Sequence, residues 1–478
     1  MKFLRRGYKL VTLQRLITFP VMNIHMNKGQ VDMLHGSLAM KIIVFALPLI
    51  ASGILQQSFN AVDVAVIGQY SSSNAIAAVG SNGPVISILI NLFLGIAVGA
   101  NVVLANYLGH KDKEGVRRSI STIAVVAIVS GFLLMIIGIS WARPILEAMN
   151  APSDVIDLAT TYLRVYFCGM PFMMIYNFGA AIMRSIGDTQ KPFYALVVAN
   201  IVNLGLDLLF VVGFDMGVAG VALATVIANA CNAAMMVFYL LREPDPLTLR
   251  LKQSKFSTSD FGKMLRIGVP AGLQGMVFSI SNIFIQSSIN NFGSDAIAGS
   301  AAALTFESYC YYIVVAFCGA TLAFAGQNYG AGNFDRCRKV YKICLTYAAV
   351  FCFFADFTII IFQEYCIGIF TSDARVFDYA SQRFHTVLAF QFIASTYEIA
   401  GSYMRGLGFS FTPMVLTIFG TCVLRLGWVG IFKEIDNTFT MLLTIYPITW
   451  IVTGLAVVIA AHIVERRAFK AHSIVSKS

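Results

Sequence analysis

Long stretches almost without charge decide what this chain can become. ALPLIASGILQQSFNAVDVAVIG (46–68) carries a single ionisable residue, Asp63. A helix needs about 20 mostly apolar residues to cross a bilayer, and a membrane barrel would instead show short alternating segments. Apolar runs lie near 42–67, 83–108, 118–140, 158–182, 193–213 and 217–241, then near 262–290, 298–325, 340–362, 380–404, 411–432 and 438–463. The chain is 58% hydrophobic and only 12% charged, against roughly 25% charged for a soluble protein. That excludes an ordinary soluble enzyme or nucleic-acid binder. The expectation is an all-α polytopic membrane protein with twelve transmembrane helices.

The net charge of +10 then reports topology. On a twelve-span reading, 28 of the 34 Lys and Arg residues fall on one face, in the segment before the first span, the even-numbered connections and the tail. Arg143, Arg164, Arg375, Arg383 and Lys433 remain for the other face, and Arg425 lies inside a span. Basic loops stay in the cytoplasm, so both termini are expected there, with the lipid bilayer and no nucleic acid as partner. Nine Cys are scattered singly and six His are dispersed, without metal-ligand spacing, so no metal or other cofactor is expected. The opening residues lack a signal-peptide pattern. Met26 heads a shorter chain leading straight into the first span, and the first 25 residues read as an irregular extension.

The second half of the chain repeats the first. Ala75-Ile76-Ala77 recurs as Ala296-Ile297-Ala298, a shift of 221 residues, and the same shift carries Gly109 to Gly330, Arg117 to Arg338, Met183-Arg184-x-x-Gly187 to Met404-Arg405-x-x-Gly408 and Pro192 to Pro413. Pro48 meets Pro270 one residue further on. A fixed shift of this kind marks a duplicated unit. Six spans per unit is an even number, so the copies are parallel, a design in which substrate binds between halves that rock about a central site. The expected division is an extension over 1–41, a first lobe over 42–241, a linker over 242–261, a second lobe over 262–463 and a tail over 464–478.

Charges inside spans are costly and mark function by default. The acids concerned are Asp63, Asp207, Glu307, Asp356 and Glu398. Asn60 lies one helical turn before Asp63, Gln56 a turn further back, and Asn203 one turn before Asp207. Carboxylate and amide oxygens so grouped suit a proton or Na+. The alternative is polar glue between helices. Glu307 and Glu398 either line a cavity or answer Arg425, and Asp356 is better read as packing. Under the 221 shift Asp63, Asn203 and Asp207 face Phe284, Leu424 and Trp428, while Glu307 and Glu398 face Ile86 and Asn177. The two copies have diverged in their polar chemistry.

Taken together, ALPLIASGILQQSFNAVDVAVIGQ, IMRSIGDTQKPF, NIVNLGLDLLF, GVAGVALATVIAN and GQNYGAGNFDR resemble signature stretches of the multidrug and toxic compound extrusion (MATE) family, from about Asp32 to about Arg467. The resemblance implies two pseudo-symmetric six-helix lobes of the MATE/MOP flippase-like kind. It also implies cation-coupled antiport, driven by H+ or Na+, of amphiphilic and often cationic compounds. The first lobe is similar to the DinF-like branch, which implies a cation site at Asp63, Asn203, Asp207, Thr225 and Tyr162 and a bend of the first helix at Pro48. The NorM-like pattern of a seventh-helix acid is missing, and Glu307 with Glu398 would be this chain's variation. On this reading the chain is a transporter working as a monomer, not an enzyme. A lipid-linked precursor flippase would need a strongly basic central cavity, and a membrane transferase would need clustered Asp for Mg2+.

Overall fold

The computed structural model describes residues 29–70, 73–149, 155–249 and 256–475; Met26 and the segment before it lie outside them. The first half comprises α1 (Leu38–Tyr70), α2 (Ser73–Gly109), α3 (Lys113–Ala148), α4 (Ile156–Cys168), α5 (Met170–Ser185), α6 (Gln190–Asp207) and α7 (Gly217–Arg242). The second begins with α8 (Thr258–Asn290), α9 (Ser294–Gly330), α10 (Phe334–Ile361) and the short α11 (Gln363–Gly368). It continues with α12 (Ala374–Thr386), α13 (Ser395–Gly406), α14 (Phe411–Thr417), α15 (Leu424–Ile435), α16 (Phe439–Leu443) and α17 (Ile445–Val475).

These elements make twelve crossings, because α4–α5, α12–α13, α14–α15 and α16–α17 are each one interrupted passage. Among the described residues ten helices are long and apolar enough to span a bilayer, or eleven with the α4–α5 pair, bent by 48°. The crossing left over is α12–α13, which holds Arg383, Glu398 and Arg405. Helices also outrun the apolar runs. Ser257 caps α8 by accepting the Asp260 amide at 3.2 Å, so this helix starts before residue 262. The last helix continues past 463 because Phe469 stacks on Phe334 with centroids 4.4 Å apart and Glu465 receives Arg338 and Tyr403.

The repeat is visible in the geometry. The fourth crossing breaks at Gly169 and the tenth in a 3-10 turn over Leu388–Ala394, and π turns interrupt the fifth and eleventh at Leu208–Gly213 and Ile418–Val423. Gly187 and Gly408 end α5 and α13 with φ of +92° and +90°, the left-handed helix stop that glycine adopts without strain. Arg117 pairs with Asp245 and Arg338 with Glu465. Gly109 and Gly330 sit where α2 and α9 pass backbone to backbone: a methyl on Gly109 would lie 2.1 Å from the Gln327 carbonyl oxygen, and one on Gly330 2.3 Å from that of Asn106. The repeated motifs are thus chain reversals, ion pairs and a contact of the two copies with each other.

The halves are clasped toward the face where α1 begins and α17 ends, here called the basic face. There α2 crosses α8 at Gly95, Gly99, Gly268 and Gly272, and a methyl on Gly95 would lie 2.2 Å from the Gly272 nitrogen. Two G-x-x-x-G segments bring the backbones together, the close packing that holds helices in lipid. Gln327 donates to the Ser185 carbonyl at 2.6 Å across the same seam. Outward surfaces are large and apolar, as on α3, where Ile128, Val129, Phe132, Leu133 and Ile136 are exposed while Gly131, Leu134 and Gly138 are buried. A strap over residues 30–37 lies across the seam. Gln30 donates to Glu243 and the Val31 amide to the Gly187 carbonyl in the first half; Asn328 and Arg336 of the second half donate to the Met33 carbonyl.

Candidate functional site: two charged centres around a central cavity

The first-half centre forms where α1, α4 and α6 meet. Asp207, the last residue of α6, is fully buried directly before the π turn. Its carboxyl comes within hydrogen-bond reach of Asp63 from α1, and Tyr162 of α4 lies near enough to both to feel their charge. Neither carboxylate can donate. Accordingly Asp63 Oδ1 and both oxygens of Asp207 are buried without a partner, as is Asn203 Nδ2 one turn earlier. Two facing carboxyls with no donor between them fit a proton or a small cation, since anything else leaves like charges together in low dielectric.

Of the other residues expected here, Thr225 stands half-buried on α7 and donates to the Val221 carbonyl of its own helix at 3.0 Å. Tyr162 stacks on Tyr166 at 5.9 Å. Pro48 lies inside a continuous α1, with the Ser52 hydroxyl donating to its carbonyl at 2.7 Å. Asn60 is exposed.

A central cavity of about 470 Å³ lies between the halves. Gln56 contributes to its lining from α1, Asn177 and Arg184 from α5, and Tyr312, Glu398 and Arg405 from the second half. Arg184 and Arg405, one copy of a repeated pair each, both line it rather than lying on the basic surface. Arg405 donates to Gln274 at 2.6 Å, and Glu398 accepts from the Tyr311 hydroxyl at 2.8 Å.

The second half has a cavity of its own, about 330 Å³, between α8, α9, α13 and α17. Glu307 and Arg383 form a two-pronged ion pair in its wall at 2.6 and 2.9 Å, and Arg383 also donates to Ser300 at 2.8 Å. The structure corrects two expectations here. Arg383, assigned to the far surface, is 3% exposed, because α12 turns inward where Glu307 neutralises it. Arg425 is answered by neither Glu307 nor Glu398, both being held elsewhere. Its guanidinium lies 4.3 Å from the Tyr446 ring centroid and 5.3 Å from that of Phe278, and the Thr449 and Asn282 oxygens are at 3.4 and 3.5 Å.

Two features of the structure, the seam and the strap, are only faintly marked in the sequence. The G-x-x-x-G spacing at Gly95–Gly99 and Gly268–Gly272 was a signal for the seam; alternating Val31 and Met33, both buried, was a faint one for the strap.

Comparisons with known proteins agree with this architecture. The MatE family profile matches residues 48–209 and again 270–428, two matches whose starts differ by one residue from the internal shift. Probable multidrug resistance protein YoeA of Bacillus subtilis (strain 168) is 27% identical over 383 residues, 79% of this chain and 83% of that protein. Multidrug export protein MepA of Staphylococcus aureus (strain N315) is 24% identical over 374 residues, covering 78% and 80%. A crystal structure of MATE in the straight conformation superposes with a TM-score of 0.86 at 22% identity, covering 93% of this chain and 100% of that one. An outward-facing multidrug resistance MATE family transporter of the MOP superfamily gives 0.86 at 22%, covering 93% and 99%.

Proposed function

The chain belongs to the MatE family, and from that premise we propose that it is an antiporter that exports amphiphilic, chiefly cationic, compounds against entry of H+ or Na+. The observation that carries the reading is the Asp63–Asp207 pair, of which Asp63 Oδ1 and both Asp207 oxygens are buried with no donor among the described residues. Binding of a proton or cation there removes the repulsion between the two carboxylates. That gain differs between conformations that hold α1 and α6 together and those that part them, and only such a difference lets an ion drive a conformational change. Pro48 withholds one backbone donor from α1 and is the place where that helix can bend. Substrate enters the central cavity, and the glycine seam and the strap are the contacts that must open when access alternates.

The same proposal assigns the first centre to the DinF-like pattern, with Asn203, Tyr162 and Thr225 around the carboxyl pair and no further cofactor. It places the basic face in the cytoplasm of a bacterial cell, takes 42–241 and 262–463 as the rocking units, and has the monomer as the working form. The test is transport of a cationic dye into or out of proteoliposomes under H+ and Na+ gradients imposed separately. Wild type should move the dye under one of them, and Asp63→Asn and Asp207→Asn should reduce movement to that of empty liposomes while eluting as the wild type does in detergent. Undiminished gradient-driven movement in both variants overturns the assignment.

A further inference from the structure

We propose that the second-half cavity is a binding site for the anionic group of the exported compound, anchored by Arg425 beneath a wall of aromatic rings. The substrate class would then include aromatic amphiphiles carrying a carboxylate. The word "exported" rests on the reading given above; the site itself does not.

Charge does not balance locally in this cavity. Among the described residues lining this cavity the ionisable carboxylate is Glu307, and Arg383 engages both of its oxygens. Arg425 is left over as a net positive charge with no exposed surface, and its Nη2 has no partner. Its remaining contacts, to the Thr449 hydroxyl and the Asn282 amide oxygen, are at the long end of hydrogen bonding. A guanidinium removed from water and given no counter-charge is costly to hold. The Tyr446 and Phe278 rings offset that in part through their negative faces, and an arriving carboxylate would offset it fully. The planar fork of Arg suits an oxyanion better than a spherical ion.

Two further features fit. The π turn Ile418–Val423 ends two residues before Arg425, in the same crossing of its half as the π turn that follows Asp207 but eleven residues out of register with it; such insertions re-aim neighbouring side chains and gather at functional positions. The cavity also shares Tyr312 and Val315 with the central one, so a bound molecule can present its anionic end to Arg425, its rings to Phe278 and Trp450, and the rest of itself to the space between the halves.

The test compares two dyes that differ at a single group: rhodamine 110, with a free carboxylate, and rhodamine 123, its methyl ester. Binding to the purified full chain in neutral detergent is read by fluorescence anisotropy. Arg425→Gln should weaken the acid by about 10- to 100-fold, the range for losing a charge-assisted hydrogen bond, leave the ester within about twofold, and leave Tm unchanged or higher. Arg425→Lys, which keeps the charge without the fork, should weaken the acid less and is the variant to use if Arg425→Gln does not fold. Equal effects on both dyes, no effect on either, or relief of acid binding by added phosphatidylglycerol but not phosphatidylcholine overturns the proposal, the last by making the occupant a lipid headgroup. If Arg425-dependent binding of the acid is found but no gradient moves either dye, the antiport reading fails and the site stands.

Discussion

The two halves share a fold and hold opposite charges at its interrupted helices. In the first, a π turn follows Asp207, and two carboxyls face each other without a donor. In the second, a π turn precedes Arg425, Arg383 lies just before the helix break, and the one cavity carboxylate is taken by Arg383, leaving Arg425 without a counter-charge. Both halves break their backbone hydrogen bonding in the same crossings, and the charges beside those breaks are of opposite sign. The difference also separates paired charges from unpaired ones: Glu307 and Arg383 satisfy each other, whereas Asp63, Asp207 and Arg425 keep buried polar atoms without a partner among the described residues.

That contrast makes stability respond in opposite directions to charge removal. Glu307→Gln strands the buried Arg383 beside Arg425 and is expected to cost about 3–5 kcal/mol, the range for breaking one side of a buried pair. Asp207→Asn removes a repulsion and should leave stability equal or raised. Thermal unfolding in detergent compares the two, and a fall for Asp207→Asn as large as for Glu307→Gln would break the distinction. Tyr311→Phe removes the donor to Glu398 Oε1 and should cost about 1–3 kcal/mol; an unchanged Tm would mean that Glu398 is satisfied from the cavity.

The smallest effect concerns the strap that joins the halves. Burial alone disfavours a charged Asp32, but the Leu34 and His35 amides, the Lys41 ammonium and the His35 ring outweigh it and hold the carboxyl below its usual range. With the folded value depressed, the stabilisation is in place above the unfolded pKa, about 4, and is lost as pH falls through the folded one. Hydrogen exchange at the Val31 amide, corrected for intrinsic rate, should stay slow from neutrality to about pH 5 and rise only below about pH 4. A rise beginning near pH 6 would assign the strap's hold to another group.

Much of the fold was legible because membrane helices are written in long runs that need no partner to be recognised, and the duplication because glycines and arginines recur at one shift. Asp63, Asn203 and Asp207 could be singled out since a carboxylate in an apolar run is locally anomalous. Arg383 could not be placed that way. Its partner Glu307 is 76 residues distant, and α12, which carries Asp378 and Gln382 as well, looks from its own composition like a surface helix. The reach of the strap was hidden for a similar reason: its bonds run from backbone carbonyls near residue 33 to Asn328 and Arg336, about 300 positions away, and carbonyls carry no sequence signature.

Gly109 and Gly330 have a consequence for the origin of such a chain. They are equivalent residues that touch each other's helices, so each copy's α2-type helix is packed against its own counterpart. A surface that meets itself about a two-fold axis is what a symmetric homodimer possesses. The seam is therefore a dimer interface written into one polypeptide, and single-residue drift is most constrained on it: elsewhere each half can change alone, as the acidic and basic centres have, but on the axis a change in one copy alters the neighbour of the other.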